Sequence, residues 1–130
     1  MLLIKLNSIF SLEMDVIATE ETLPSFNALL NISFFNTFGT KSISFASIWY
    51  ENKRWEQFIH ALNKMPDTDA TLSDMSEKFV LHIGSNNNGI LLSVKINERY
   101  QGEFITIDYQ KNLDLDQFAI LKNGFIGFEK

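Results

Sequence analysis

The chain has 130 residues, of which 45% are hydrophobic and 21% charged, with 6 Gly, 2 Pro and no Cys. A chain this long buries roughly two thirds of its unfolded surface and supports one core without a covalent staple, while the lack of cysteine excludes disulfides, thiolate metal sites and cysteine nucleophiles together. The formal net charge of -5 argues against a phosphate-backbone ligand, which needs clustered cations, so nucleic acid is not expected as a partner.

The opening Met1-Leu2-Leu3-Ile4-Lys5-Leu6 starts like a secretion signal, but Lys5 interrupts the apolar run and Glu13 and Asp15 follow at once. No segment approaches the roughly 18 uninterrupted apolar residues of a membrane span. A cytoplasmic chain that makes no use of the membrane is the expectation. Period-two alternation then takes over. Phe10, Leu12, Met14 and Val16 alternate with Ser11, Glu13 and Asp15, predicting a strand over 9–18. After Thr19 to Thr22 and Pro24, the apolar series Phe26, Ala28, Leu30, Ile32, Phe34 predicts a long strand over 25–36. Turn residues Asn36 to Gly39 lead to a third strand over 41–50, with Ile43, Phe45 and Trp49 expected inward.

The period then changes. Trp55, Phe58, Ile59 and Leu62 stand at i, i+3, i+4 and i+7, one face of a helix from Asn52 that Pro66 terminates. A polar stretch follows with Asp67, Asp69, Asp74 and Glu77. Phe79, Leu81 and Ile83 predict a strand, Ser85-Asn86-Asn87-Asn88-Gly89 a hairpin turn, and Ile90, Leu92, Val94 and Ile96 the answering strand. A turn around Arg99 to Gly102 leads to a strand over 104–109. Asp114 caps a short helix carrying Leu115, Phe118, Ala119 and Leu121, which Gly124 is expected to end, leaving Phe125 to Phe128 as an apolar tail. With no linker or low-complexity segment, residues 1–130 read as a single α+β domain: an antiparallel β-sheet of about six strands in two meanders, one central helix packed on it, and a short C-terminal helix.

Chemistry is sparse. His60 lies on the polar helix face and His82 between inward Leu81 and Ile83, and neither has a spacing that supplies an orienting partner. No catalytic residue, no metal ligand set and no cofactor is assigned. Asp108, Asp114 and Asp116 are the carboxylates that a hydrolase or a hard-cation site could use, and they define the alternative reading. Gly84 to Gly89 is not a phosphate cradle, because a strand and not a helix follows.

Charge is unevenly spread: residues 66–130 carry ten acids and six bases, against six and five in residues 1–65. The acids Asp67, Asp69, Asp74 and Glu77 and the aromatics Tyr100 and Tyr109, which fall on the polar register, form the candidate partner-binding set. Phe35 and Tyr50 fall on the same register, so part of this aromatic group is expected on the surface. The expected partner is a protein, a basic one by charge. Unpaired strand edges leave a homodimer, and with it a self-associating structural role, as a further alternative.

The helix phrase Trp55-Glu56-Gln57-Phe58-Ile59-His60-Ala61-Leu62 carries a resemblance together with three later features. These are the strand Lys78 to Ile83, the Gly102 turn before Phe104-Ile105-Thr106-Ile107, and Leu115-Asp116-Gln117 opening the last helix. In that order, behind an N-terminal meander, they resemble the WapI-like immunity proteins of bacterial polymorphic toxin systems. The resemblance implies a non-catalytic binder that occludes a cognate toxin. It carries over no toxin-contacting residue, and Gly124 and Gly127 break what in that group is a longer amphipathic helix.

Overall fold

The computed structural model describes all residues except Ser8, Asn88, Glu129 and Lys130. Among the described residues are strands β1 (Leu2–Leu6), β2 (Phe10–Glu20), β3 (Ser25–Asn36) and β4 (Gly39–Glu51), helix α1 (Asn52–Asn63), strands β5 (Ala70–Ser73), β6 (Phe79–Asn86), β7 (Gly89–Tyr100) and β8 (Glu103–Leu113), and helix α2 (Leu115–Ile126). They build two antiparallel four-stranded sheets, each a meander in chain order, β1-β2-β3-β4 and β5-β6-β7-β8. The α+β class and the antiparallel meanders agree with the sequence. The six expected strands become eight, and the C-terminal helix, expected to be short, runs for 12 residues and is as long as the central one.

Both added strands are short. In β1, Leu2, Ile4 and Leu6 pair with Met14, Leu12 and Phe10, so the apolar start of the chain is a buried strand and Lys5 points out beside Ser11. In β5, Ala70 and Leu72 face inward opposite Ile83 and Leu81. Two apolar positions inside an acidic stretch are too weak a period to announce a strand; pairing with β6 supplies the stabilisation that local pattern lacks.

The inner faces of the two sheets share one core, with Tyr109 of β8 at 6.0 Å from the Phe10 ring and 4.6 Å from the Phe34 ring across the interface. A bulge in β4 corrects one expectation. The register with β3 shifts between the Ala28 and Leu30 pairings, so Leu30 faces Phe45 but Ala28 faces Ile48. One extra residue reverses side-chain parity from there on. Ile48 and Tyr50 therefore enter the core, and Trp49, expected inside, is turned outward.

Helix α1 packs against β5 and β4, and α2 packs against β1, so the helices lie at one end of the core instead of over a single sheet. Trp55 and Phe58 of α1 meet Phe125 of α2 at 6.0 and 4.9 Å between ring centres. Asp114 caps α2 in a reciprocal box, its carboxylate accepting from the Gln117 N–H at 2.7 Å while the Gln117 side chain accepts from the Asp114 N–H. Gly124 does not end this helix. It sits inside α2 where a Cβ would stand 2.7 Å from Cγ1 of Ile4, and the missing side chain lets α2 approach β1. Phe125, expected in a tail, is accordingly buried. The φ of Gly89 is +114°, as the expected hairpin turn requires; Asn88 of that turn lies outside the described residues.

Candidate functional site: an open apolar groove between the sheets

At the end of the core away from the helices, nothing among the described residues closes the gap between the sheets. The first half of β4 and the paired ends of β7 and β8 border a groove of about 690 Å³. Ile43 and Phe45 of β4 form one wall, and Ile96, Ile105 and Ile107 form the other. Register explains the second wall: Ile96 lies opposite Ile107 and Glu98 opposite Ile105, so all four share the inner face of the second sheet. Ile105 is nonetheless 55% exposed, because it lies on an edge strand at the open side of the groove. A smaller hollow of about 410 Å³ continues from Lys78, Glu98 and Ile105 past Phe104 to Glu77.

Charged groups ring this surface. Lys41 lines its β4 side. Glu98, on an inward register position, pairs with Lys78 through Oε1 at 3.7 Å, while its other carboxylate oxygen is buried and has no hydrogen-bond partner among the described residues. The Arg99 guanidinium lies 4.1 Å from the centre of the Phe104 ring and covers part of it. Tyr100 and Phe104, 69% and 66% exposed, extend the apolar character to the hairpin tip, where Gln101 and Gly102 take positive φ.

The candidate binding residues do not form one surface. Asp74 is 1% exposed and is a structural group. Its carboxylate accepts from the N–H of Phe79 at 2.9 Å and of Ser76 at 3.2 Å, pinning the turn between β5 and β6. It is removed from the contact set, because a carboxylate held by buried main-chain donors is not offered to a partner. Asp67, Asp69 and Glu77 are exposed, but only Glu77 borders the groove system. Tyr100 stands at the hairpin tip, while Tyr109 is half-buried in the core, where burial pushes its hydroxyl ionisation up. Tyr50, expected among the outward aromatics, is fully buried. Burial, helped by the Asp74 carboxylate, raises its ionisation far above the ordinary tyrosine value, and its hydroxyl has no hydrogen-bond partner among the described residues. Phe35 is half-buried.

The three alternative carboxylates are not gathered either. Asp108 is exposed on β8, in register with Lys95, and Asp114 lies beyond the strand end, about 17 Å or more away by strand rise. Asp114 is committed to capping α2, and Asp116 is exposed in its first turn. No group of three or more His, Asp or Glu among the described residues is placed to hold a cation.

One arrangement escaped the sequence. His82 is oriented after all: its Nδ1 lies 2.7 Å from Thr71 Oγ1 and its Nε2 3.3 Å from Asp69 Oδ2. The Thr71–His82 cross-strand pairing creates this row, and Gly84 leaves room for it, since a Cβ there would stand 3.2 Å from both the carboxylate and the ring. Hydroxyl, imidazole and carboxylate in line have the composition of a nucleophile with its base. Here they lie on the outer face of a sheet, with His82 and Asp69 side chains 41% and 56% exposed, and none of the three borders a groove. A row this exposed is open to water.

Of the groove residues, Ile43, Phe45 and Ile96 read from the sequence as inward-facing strand positions, and Ile105 and Ile107 only as part of a strand over 104–109. The available signal was Phe104-Ile105-Thr106-Ile107 itself, where apolar residues occupy both faces of an edge strand. No helix is long and apolar enough to cross a membrane among the described residues. Comparison with protein-family models, curated proteins and solved structures finds nothing that matches this chain.

Proposed function

We propose that this chain is a small acidic protein-binding domain that works by occlusion and not by chemistry, with the open groove between β4 and β8 as its contact surface. The observation that carries the reading is the exposure of Ile105 among the apolar walls Ile43, Phe45, Ile96 and Ile107, with exposed Phe104 lining the adjoining hollow. Soluble domains seldom leave a contiguous apolar surface open without using it, and aromatic anchors at such a surface dominate binding energy. The partner is a protein with an apolar projection flanked by basic groups. The net charge of -5 favours its approach; Lys78, Glu98 and Ile105 stand where the two hollows meet, and Glu77 lines the second. The resemblance in layout to immunity proteins supports an inhibitor of a cognate toxin as the specific form of this role, acting in the cytoplasm, and the lack of cysteine suits that reducing compartment.

A photo-crosslinking residue at Ile43 in the native host tests the reading, with the captured protein identified, purified and titrated. A single basic protein should be captured, and Ile105→Glu should weaken its binding at least tenfold while the fold persists. Capture from position 69 on the outer face, with none from position 43, would sink the groove as the contact surface.

A further inference from the structure

The four edge strands of the two sheets differ in how far they invite pairing. β1 has 5 residues and β5 has 4, too short to present a long ladder. β4 is interrupted by its bulge, and near its far end the Trp49 carbonyl accepts from the Met75 N–H at 2.8 Å. β8 is different. Its 11 residues pair with β7 in one unbroken register from Glu103 to Leu113, with no proline, glycine or bulge, and every second residue presents its N–H and C=O away from β7. A long, regular and half-apolar edge is a pairing template, and natural proteins blunt such edges unless they use them.

From this comparison we infer that β8 pairs antiparallel with β8 of a second copy about a two-fold axis at Ile107, joining two four-stranded sheets into one of eight strands. A two-fold perpendicular to the sheet keeps both inner faces on the same side, and within that constraint side-chain chemistry selects the register. Centring on Asp108 sets two aspartates directly opposite, and centring on Thr106 leaves Glu103 and Lys111 without opposite charges. Centring on Ile107 sets Glu103 opposite Lys111 of the second copy, twice by symmetry, Ile105 opposite Tyr109 and Ile107 opposite itself. All of these are inner-face residues. The same register places Thr106 opposite Asp108 and Phe104 opposite Gln110 on the outer face. Tyr109 and Lys111 of the second copy thereby stand beside Ile105 and Glu103, so each groove acquires part of its wall from the other chain. The inference concerns the main-chain edge of β8, and a monomeric protein would leave the proposed groove function standing.

The cysteine-free chain gives a direct test. Sedimentation up to about 1 mM, where even weak specific pairing is populated, should show a monomer–dimer equilibrium. Ile107→Cys should give a covalent dimer on mild oxidation, and Ser44→Cys on β4 should not. Glu103→Lys and Lys111→Glu should each weaken dimerisation on the order of tenfold, and the double exchange should restore it. This pattern separates lost pairing from lost folding, because the doubly exchanged chain carries both substitutions. A protein that stays monomeric at about 1 mM would overturn the inference. So would a dimer insensitive to both charge reversals, a dimer trapped through position 44, or a β8 edge that captures a different protein and never itself.

Discussion

The two halves of β4 lie in opposite surroundings although they belong to one strand and face one core. From Ile48 to Glu51 the strand runs beneath the helices. Tyr50 packs at 5.4 Å from Phe26 and 6.1 Å from Trp55, Trp55 touches Phe58 and Phe125, and the Trp49 carbonyl is used by Met75. From Lys41 to Ser47 the same strand borders a groove, and Ile43 has solvent where Tyr50 has aromatic rings. The bulge marks the change. The first half of β4 keeps the parity expected from its pattern and remains open; the second half has reversed parity and is sealed. Stability is thus concentrated at the helix end, and the apolar surface left at the other end is available for association.

Substitutions at the two ends should separate these roles. The largest effect is expected for Trp55→Ala, which removes the ring shared by Phe26, Tyr50, Phe58 and Phe125 and should lower unfolding free energy by about 3–5 kcal/mol in urea titration. A loss below 1 kcal/mol would mean that the helix end is not where the fold is held. Asp74→Ala should follow at about 2 kcal/mol, since two main-chain donors lose their acceptor, whereas exposed Asp67→Ala should stay within about 0.5 kcal/mol. Equal effects from these two acids would contradict the distinction drawn between them. Ile105→Ser, at the open end, should cost less than about 1 kcal/mol, because the side chain is already largely in water. A cost comparable to Trp55→Ala would show that the groove is closed in solution.

Tyr50→Phe should have the smallest effect at neutral pH, near zero or slightly stabilising, because it deletes a buried hydroxyl with no hydrogen-bond partner among the described residues. It should also change the alkaline limb of the stability curve. The folded protein holds the Tyr50 proton more tightly than the unfolded chain does, so stability present below about pH 10 is lost progressively above it. The phenylalanine variant lacks that ionisation, and its stability should fall less steeply between neutral pH and strongly alkaline solution. Parallel pH curves for the two proteins would show that Tyr50 is hydrated.

Strand alternation was legible wherever the apolar series ran for four or more turns of the pleat, as in β2, β3 and β7. It failed in β1, where outward Leu3 is apolar and breaks the alternation, and in β5, where only two apolar positions carry the signal. The helix face Trp55, Phe58, Leu62 was legible because the period of 3.6 changes abruptly from that of 2. Gly124 was misread because a glycine in a helical pattern has two causes, termination and close approach, and only the position of Ile4 distinguishes them. Asp74 was misread for a related reason: an aspartate in a polar stretch looks solvated until the N–H groups of Ser76 and Phe79 are seen to converge on it. The groove itself was not legible, since Ile43, Phe45 and Ile96 carry the same alternation as the core and only Phe104 beside Ile105 departs from it. What exposes Ile105 is its place on an edge strand at the open side of a groove whose other wall belongs to the first sheet.

Composition and periodicity by themselves determined that this chain is a cysteine-free, acidic α+β domain of antiparallel meanders interrupted by an amphipathic helix, because those properties follow from spacing along one strand or one helix. Tertiary structure alone decided which apolar residues are enclosed, which acids are buried and which edge stays open. Those outcomes depend on the bulge in β4, on the close approach of α2 to β1 and on the groove left between β4 and β8, and each brings together residues that sequence spacing leaves unrelated.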